Sequence, residues 1–194
     1  MYILLFIIAL CVGVYVFFHT YLPFGGTTKS RLKKQSSNFA NGKFVNQIPT
    51  PMNIGIADIP TLIHKQIERD PRRKPSRCLV PERLDISEPV KSEQPRITWF
   101  GHSAFLLQMD GKNILLDPMF SKSPSPFQSV GPQRFSDSLP ATIDELPHID
   151  LVIISHDHYD HLDYDSIKKL AHKTTMFFVP LGLAAHLRKW GVKD

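Results

Sequence analysis

The chain has 194 residues, 42% hydrophobic and 21% charged, which is the balance of a folded protein and not of a disordered one. Its net charge of +5 is unevenly placed: between Lys29 and Arg77 eleven Lys/Arg face three acids, whereas from Cys78 to Asp194 twelve face fifteen. Positive charge therefore belongs to a linker and not to a folded, aromatic-studded face, which argues against a nucleic-acid partner, and two distant cysteines, Cys11 and Cys78, encode no disulfide framework.

Tyr2 to Phe18 contains no charged residue, and continuing to Leu22 gives twenty-one residues before Pro23. At about 1.5 Å per residue such a helix spans a hydrocarbon layer of about 30 Å, so residues 1–22 are predicted to be a transmembrane anchor. A cleaved secretory signal is the rival reading. It would show Lys/Arg before the apolar run and a small-x-small site after it, and "FFHTYLPFGG" offers neither clearly. Leu10 stands where a lipidated Cys11 would want a small residue. "KSRLKK" follows the apolar run and nothing basic precedes it, so the positive-inside rule predicts a cytoplasmic domain. Each basic residue near anionic lipid adds on the order of 1 kcal/mol.

Residues 23–95 read as a basic, irregular connector, because prolines at 49, 51, 60, 71, 75, 81, 89 and 95 each disfavour helix at the preceding residue. One short helix is expected, about Ile59 to Arg69, with much of the arm lying along the domain surface. The domain, residues 96–194, opens with three strands: "RITWFG", "SAFLLQM" and "KNILLD". Asp110-Gly111 between the last two predicts a hairpin, since both turn positions want positive φ. "PMFSKSPSPFQSVGPQRFSDSLP" is a long loop, of the kind that is usually functional. A helical turn around Ile143 to Leu146, a buried strand Leu151 to Ser155, a helix "YDSIKKLAHK" capped by Asp163 or Asp165, a strand "TTMFFVP" and a short helix "AAHLRKWG" follow. Strands and helices alternating after a meander indicate α/β layers with a mixed sheet.

The stretch "ISHDHYDHLD" places His156, His158, Asp160 and His161 in the spacing H-x-H-x-D-H just beyond a buried strand. Two imidazoles two residues apart can converge on one metal ion there, with Asp160 and His161 directed to a second position nearby. Nitrogen and carboxylate donors suit zinc or another borderline divalent ion. Two such ions about 3.5–4 Å apart can hold a bridging hydroxide and polarise a phosphoryl or carbonyl oxygen, which is hydrolytic chemistry. A polar surface loop rich in histidine is the plain alternative. Asp157 sits at an x position and is read as solvated or capping the turn; Tyr159 either faces a substrate or packs on the loop.

This stretch resembles the signature of the metallo-β-lactamase fold, an αββα sandwich. With "ITWFGHSAFLL", "LLDPMFSKSPSPFQSVGPQRF", "ELPHID" and "FFVPLGL" the resemblance narrows to the N-acylphosphatidylethanolamine-hydrolysing phospholipase D group, over about Arg96 to the C-terminus. It implies that His156 and His158 bind one zinc and Asp160 and His161 the other, that Asp160 shares in catalysis, and that Tyr159 contacts substrate. Asp117 would orient the metal loop from behind the ligands, and His102 would lie near the site; alternatively Asp117 only ends a strand and His102 only makes a turn. A complete dinuclear centre of this type needs further histidines and a bridging aspartate. After His161 only His172 and His186 remain, both in expected helices, so the chain is expected to hold the first half of the fold and to bind metal weakly by itself. The function implied is a membrane-anchored zinc-dependent phosphodiesterase acting on membrane lipid. Lactone or ester hydrolysis is the enzymatic alternative, and a non-catalytic metal-binding or scaffolding protein the alternative of another class.

Overall fold

The computed structural model describes residues 2–50, 55–68, 70–86, 90, 94–129 and 131–193. Met1 and Asp194, which bound the expected segments, Arg69 at the end of the expected connector helix, and Pro51 and Pro89 of the proline series lie outside them. Helix α1, Tyr2–Thr20, has no buried residue and is long and apolar enough to cross a membrane. It is apolar all round, as a lipid-facing helix is and an amphipathic surface helix is not.

The connector is more ordered than its prolines imply. One helical turn, α2 (Ser30–Lys33), precedes a small antiparallel hairpin of β1 (Phe39–Ala40) and β2 (Lys43–Phe44). The expectation of an irregular arm is corrected here by Asn41-Gly42, whose φ values of 52° and 81° fit the two-residue hairpin turn that this dipeptide favours. Helix α3, Ile59–Ile67, carries Pro60 in its first turn, where the missing N–H costs nothing. Farther on the arm lies on the domain: the Leu79 and Leu84 amides donate to Phe135 O and Pro140 O, and Ile86 enters the core at 1% exposure.

The domain is built on one five-stranded sheet in sequential order: β3 (Arg96–Gly101), β4 (Ala104–Met109), β5 (Lys112–Leu116), β6 (Ile149–Ile153) and β7 (Thr174–Phe178). The first three form the expected meander, with Asp110 and Gly111 at φ 50° and 70°. The β5–β6 and β6–β7 pairs are parallel. Strands β3, β5, β6 and β7 therefore all run one way, and their C-terminal ends share one edge of the sheet. Two helices, α4 (Tyr164–Leu170) and α5 (Ala184–Lys189), cover one face. Leu106, Leu115 and Val152 of the sheet meet Ile167, Leu170, Leu187 and Trp190 in a continuous core. This sheet-and-helix layer pair is a mixed α/β arrangement, consistent with one half of the expected αββα sandwich.

Two boundaries shift from expectation. Strand β6 starts at Ile149, before the expected Leu151, because the Ile149 amide is already paired with Lys173 O. Helix α4 ends at Leu170 and not at Lys173: the Lys173 ammonium reaches back to Ile143 O and Leu146 O at 2.8 and 2.7 Å, fixing the 143–146 turn and drawing its backbone out of the helix.

Candidate metal centre

Three of the four strand ends that share this edge, those of β3, β5 and β6, each contribute a polar group. After β3 the chain turns at Gly101 (φ 99°) and His102 (φ 48°), a left-handed pair held by a hydrogen bond from Trp99 Nε1 to His102 O at 2.9 Å. After β5, Asp117 also takes a positive φ of 41°, and its amide continues the β6 pairing by donating to Ile153 O at 2.9 Å. Positive φ outside glycine is uncommon and marks positions that the surroundings over-determine. After β6, the amides of His161 and Leu162 both donate to His158 O, closing a tight turn that Leu162, 2% exposed, pins to the core. That turn folds Asp160 and His161 back over His156.

The donor atoms fall into two groups. His102, Asp160 and His161 form one, and His156, His158 and Asp160 the other, each with all donor atoms within 4.8 Å of one another. Asp160 belongs to both. In the first group His102 Nε2 lies 3.3 Å from His161 Nε2 and 3.0 Å from Asp160 Oδ2. Nitrogen ligands at about 2.0–2.1 Å from tetrahedral zinc stand about 3.3 Å apart, so the spacing fits such an ion.

Behind the donors, Asp117 sets their orientation. Its carboxylate accepts from the Ser155 amide (2.7 Å), Ser155 Oγ (2.8 Å) and His161 Nδ1 (2.8 Å). Because the Ser155 hydroxyl hydrogen is committed to Asp117, His156 Nδ1 donates to Ser155 Oγ at 2.9 Å. Both rings thus carry their proton on Nδ1 and turn the Nε2 lone pair outward, the tautomer a metal ligand needs.

A second support lies beside the loop. Asp163 is fully buried, accepts from Ser166 Oγ (2.5 Å) and the Ser121 amide (3.0 Å), and has its carboxyl pushed above the ordinary range by burial. It starts α4 without a side-chain cap bond, so the expected capping role is replaced by a tie to the 118–140 loop. Arg134 donates to Phe100 O (2.8 Å), Ser121 O (2.9 Å) and Met119 O, joining the end of β3 to that loop; burial lowers its pKa. Tyr159 is half-buried, and burial, then the charge of Asp163, pushes its phenol far up, so it stays a neutral donor. Its electrostatic neighbours are Asp163, Asp165 and Tyr21.

The structure brings the side chains of His156, His158, Asp160 and His161 together, and places the Asp117 carboxylate 2.8 Å from His161 Nδ1. His102 stands in the donor set itself, closer than the neighbouring position expected for it. Asp157 is exposed, and His172 and His186 lie outside both groups. Ser155 and Arg134 were missed. Ser155 adjoins the motif but has no spacing signal, and Arg134 is distant in sequence from everything it holds. Beside His102 and Asp160 opens a cleft of about 760 Å³ walled by apolar side chains, among them Leu79, Leu84, Trp99, Phe135 and Leu139.

Comparison with known proteins agrees with this architecture. Residues 112–194 match the beta-lactamase superfamily domain. The chain is similar to an uncharacterized protein of Mycobacterium tuberculosis, 38% identical over 165 residues, covering 83% of this chain and 43% of that protein. It is 35% identical over 97 residues to N-acyl-phosphatidylethanolamine-hydrolyzing phospholipase D 1 of Caenorhabditis elegans, covering 49% of this chain and 27% of that one. A metal-dependent hydrolase of Caldivirga maquilingensis is 35% identical over 100 residues, covering 50% of this chain and 37% of that one. The chain spans less than half the length of each of these relatives. In its matched segment, and in the layered sheet that carries its histidine loop, the chain is similar to the beta-lactamase superfamily domain.

Proposed function

We propose that the protein is a membrane-anchored, zinc-dependent hydrolase whose substrate is a phospholipid phosphodiester of the N-acylphosphatidylethanolamine type. The observation that carries the reading is the pair of donor groups sharing Asp160 at the edge where β3, β5 and β6 end. His156 and His158 would hold one ion, His161 and His102 the other, with Asp160 serving both. Bound there, zinc would polarise a phosphoryl oxygen and make water nucleophilic near neutral pH. Asp117 keeps the His161 ring in its ligating tautomer, and the neutral Tyr159 hydroxyl is available to hold an amide carbonyl. The apolar cleft beside His102 and Asp160 suits a long acyl chain better than a small polar ester.

Membrane anchoring is supported by contacts that a disposable signal sequence would not need. Trp190 Nε1 donates to Leu22 O at 2.8 Å and the Lys189 ammonium to Gly25 O at 2.7 Å, so the residues after α1 are part of the domain's own packing. The basic residues that follow would place the domain on the cytoplasmic side.

The test is hydrolysis of N-acylphosphatidylethanolamine in vesicles by the natural full-length protein, read as release of phosphatidate and N-acylethanolamine. His158→Ala should abolish turnover, since it removes a ligand, while Asp157→Ala, exposed between ligands, should keep most of it. Equal loss in both variants at matched circular dichroism would overturn the role assignment. Turnover of lactones or simple esters with none of the phospholipid would overturn the substrate.

A further inference from the structure

The edge that carries the donor groups is also where α1 joins the domain. Thr28 Oγ1 donates to Gly182 O at 2.7 Å, in the turn that follows β7. Lys189 and Trp190 hold Gly25 O and Leu22 O, and Tyr21 OH donates to Pro126 O at 3.0 Å. The fit is close: a Cβ on Gly25, already at φ 71°, would come 1.7 Å from His186 Nδ1, and one on Gly26 would come 2.2 Å from Ala185 O. Such a junction fixes an orientation and is not a free tether.

Its depth follows from the aromatic contacts. Phe127 stacks on Tyr21 (5.3 Å, 12°) and on Phe17 (6.3 Å, 8°), and Phe24 packs edge-on against all three. Phe17 lies three residues inside the end of α1, about 4.5 Å along its axis. The helix has 19 residues, about 28 Å, against a hydrocarbon layer of about 30 Å, so little of it can stand clear of the bilayer. A side chain stacked on Phe17 must share its depth.

We propose that the domain is seated on the membrane: the 125–128 segment, led by Phe127, enters the lipid interface beside α1, and the sheet edge with His102, Asp160 and His161 faces the headgroup layer. The occupant of this surface is a lipid bilayer. Tyr21, Phe24 and Phe127 supply the aromatic belt that favours that boundary, and Lys29, Lys33 and Lys34 follow at once in the chain. Tyr164 and Asp165, just after the histidine loop, line one cleft with Tyr21, Leu22 and Pro126, which puts the end of that loop beside the junction. A lipid would then reach the site without leaving the membrane. The inference rests on the anchor reading and on no catalytic step.

The experiment is nitroxide depth measurement on the full chain reconstituted in phosphatidylcholine vesicles, one cysteine at a time. Labels go at the native Cys11, at Phe127→Cys, at Ser129→Cys, which leaves the Phe127 stack in place, and at Lys112→Cys at the opposite end of the strands. Oxygen contact should exceed contact with a water-soluble nickel complex at 11, 127 and 129, and the ratio should reverse at 112. Gly25→Ala, which cannot keep the close junction, should move the label at 129 toward water. Labels at 127 and 129 that behave like 112 while Cys11 stays in lipid would overturn the seating and leave the anchor standing. A water-exposed Cys11 would overturn both.

Discussion

Asp117→Asn is the sharpest probe of the candidate centre, because it changes one proton's address and almost no volume. The carboxylate now accepts three donors at 2.7–2.8 Å. In the variant the amide oxygen can keep the Ser155 amide, which leaves the amide NH2 facing His161 Nδ1. Two donors cannot meet, so His161 must take its proton on Nε2, the atom 3.3 Å from His102 Nε2 that a metal would need. Loss of such a partner costs about 10- to 100-fold in metal affinity, or about 1.4–2.7 kcal/mol. Asp117→Ala acts differently: it leaves His161 free to choose its tautomer but strips the inner donors, where hydrogen bonds to a charged group are worth about 1.5–3 kcal/mol each. Zinc and cobalt titration against a chromophoric chelator, with thermal melts in chelator, should therefore separate the two. The Asn variant should lose mainly affinity, and the Ala variant mainly stability. If Asp117→Asn binds zinc as the parent does, or if both variants lose affinity only in proportion to their melting temperatures, Asp117 does not orient His161.

Arg134→Met should destabilise by about 3–5 kcal/mol, since three backbone carbonyls lose their donor at once; urea denaturation checks it, and a change below about 1 kcal/mol would mean that the loop reorganises freely. Asp150 bridges β5 and β6 by accepting from the Lys112 ammonium (2.8 Å) and the Asn113 amide (2.9 Å), and these bonds, Lys112 first, hold its pKa below the ordinary value. A depressed carboxyl contributes stability above its unfolded pKa of about 4 and loses it as pH falls through the folded value. Asp150→Asn should thus melt lower than the parent near neutral pH and converge with it in acid, whereas a constant gap across that range would assign the loss to packing.

What the sequence disclosed and what it hid divide along a physical line. The Asp110-Gly111 hairpin, the buried strand before the histidines and the grouping of His156 to His161 depend on neighbours within a few residues, so spacing and turn chemistry reveal them. The connector hairpin was equally local, with Asn41-Gly42 as its signal, but the density of prolines around it masked the turn. His102 and Arg134 act across long separations: His102 reaches His161 only because β3 and β6 run the same way, and Arg134 holds carbonyls at residues 100, 119 and 121. Nothing in a linear pattern reports a partner that topology supplies.

The sheet's other face shows the same division. Its register aligns two rows across all five strands: Ile97, Leu107, Ile114, Leu151 and Met176 in one, and Trp99, Phe105, Leu116, Ile153 and Phe178 in the other. Every member is apolar, although Ile97, Trp99, Met176 and Phe178 are 58–67% exposed. A strand with one wet face alternates apolar with polar residues, whereas "FLL", "ILL" and "LVII" run on without a break, as strands covered on both faces do. An αββα sandwich provides that second cover by packing sheet on sheet about 10 Å apart. The continuous runs are thus the local trace of a two-sided burial, and they explain why the strand sequences point to a sandwich while the described residues of the domain form one five-stranded sheet with helices on one side.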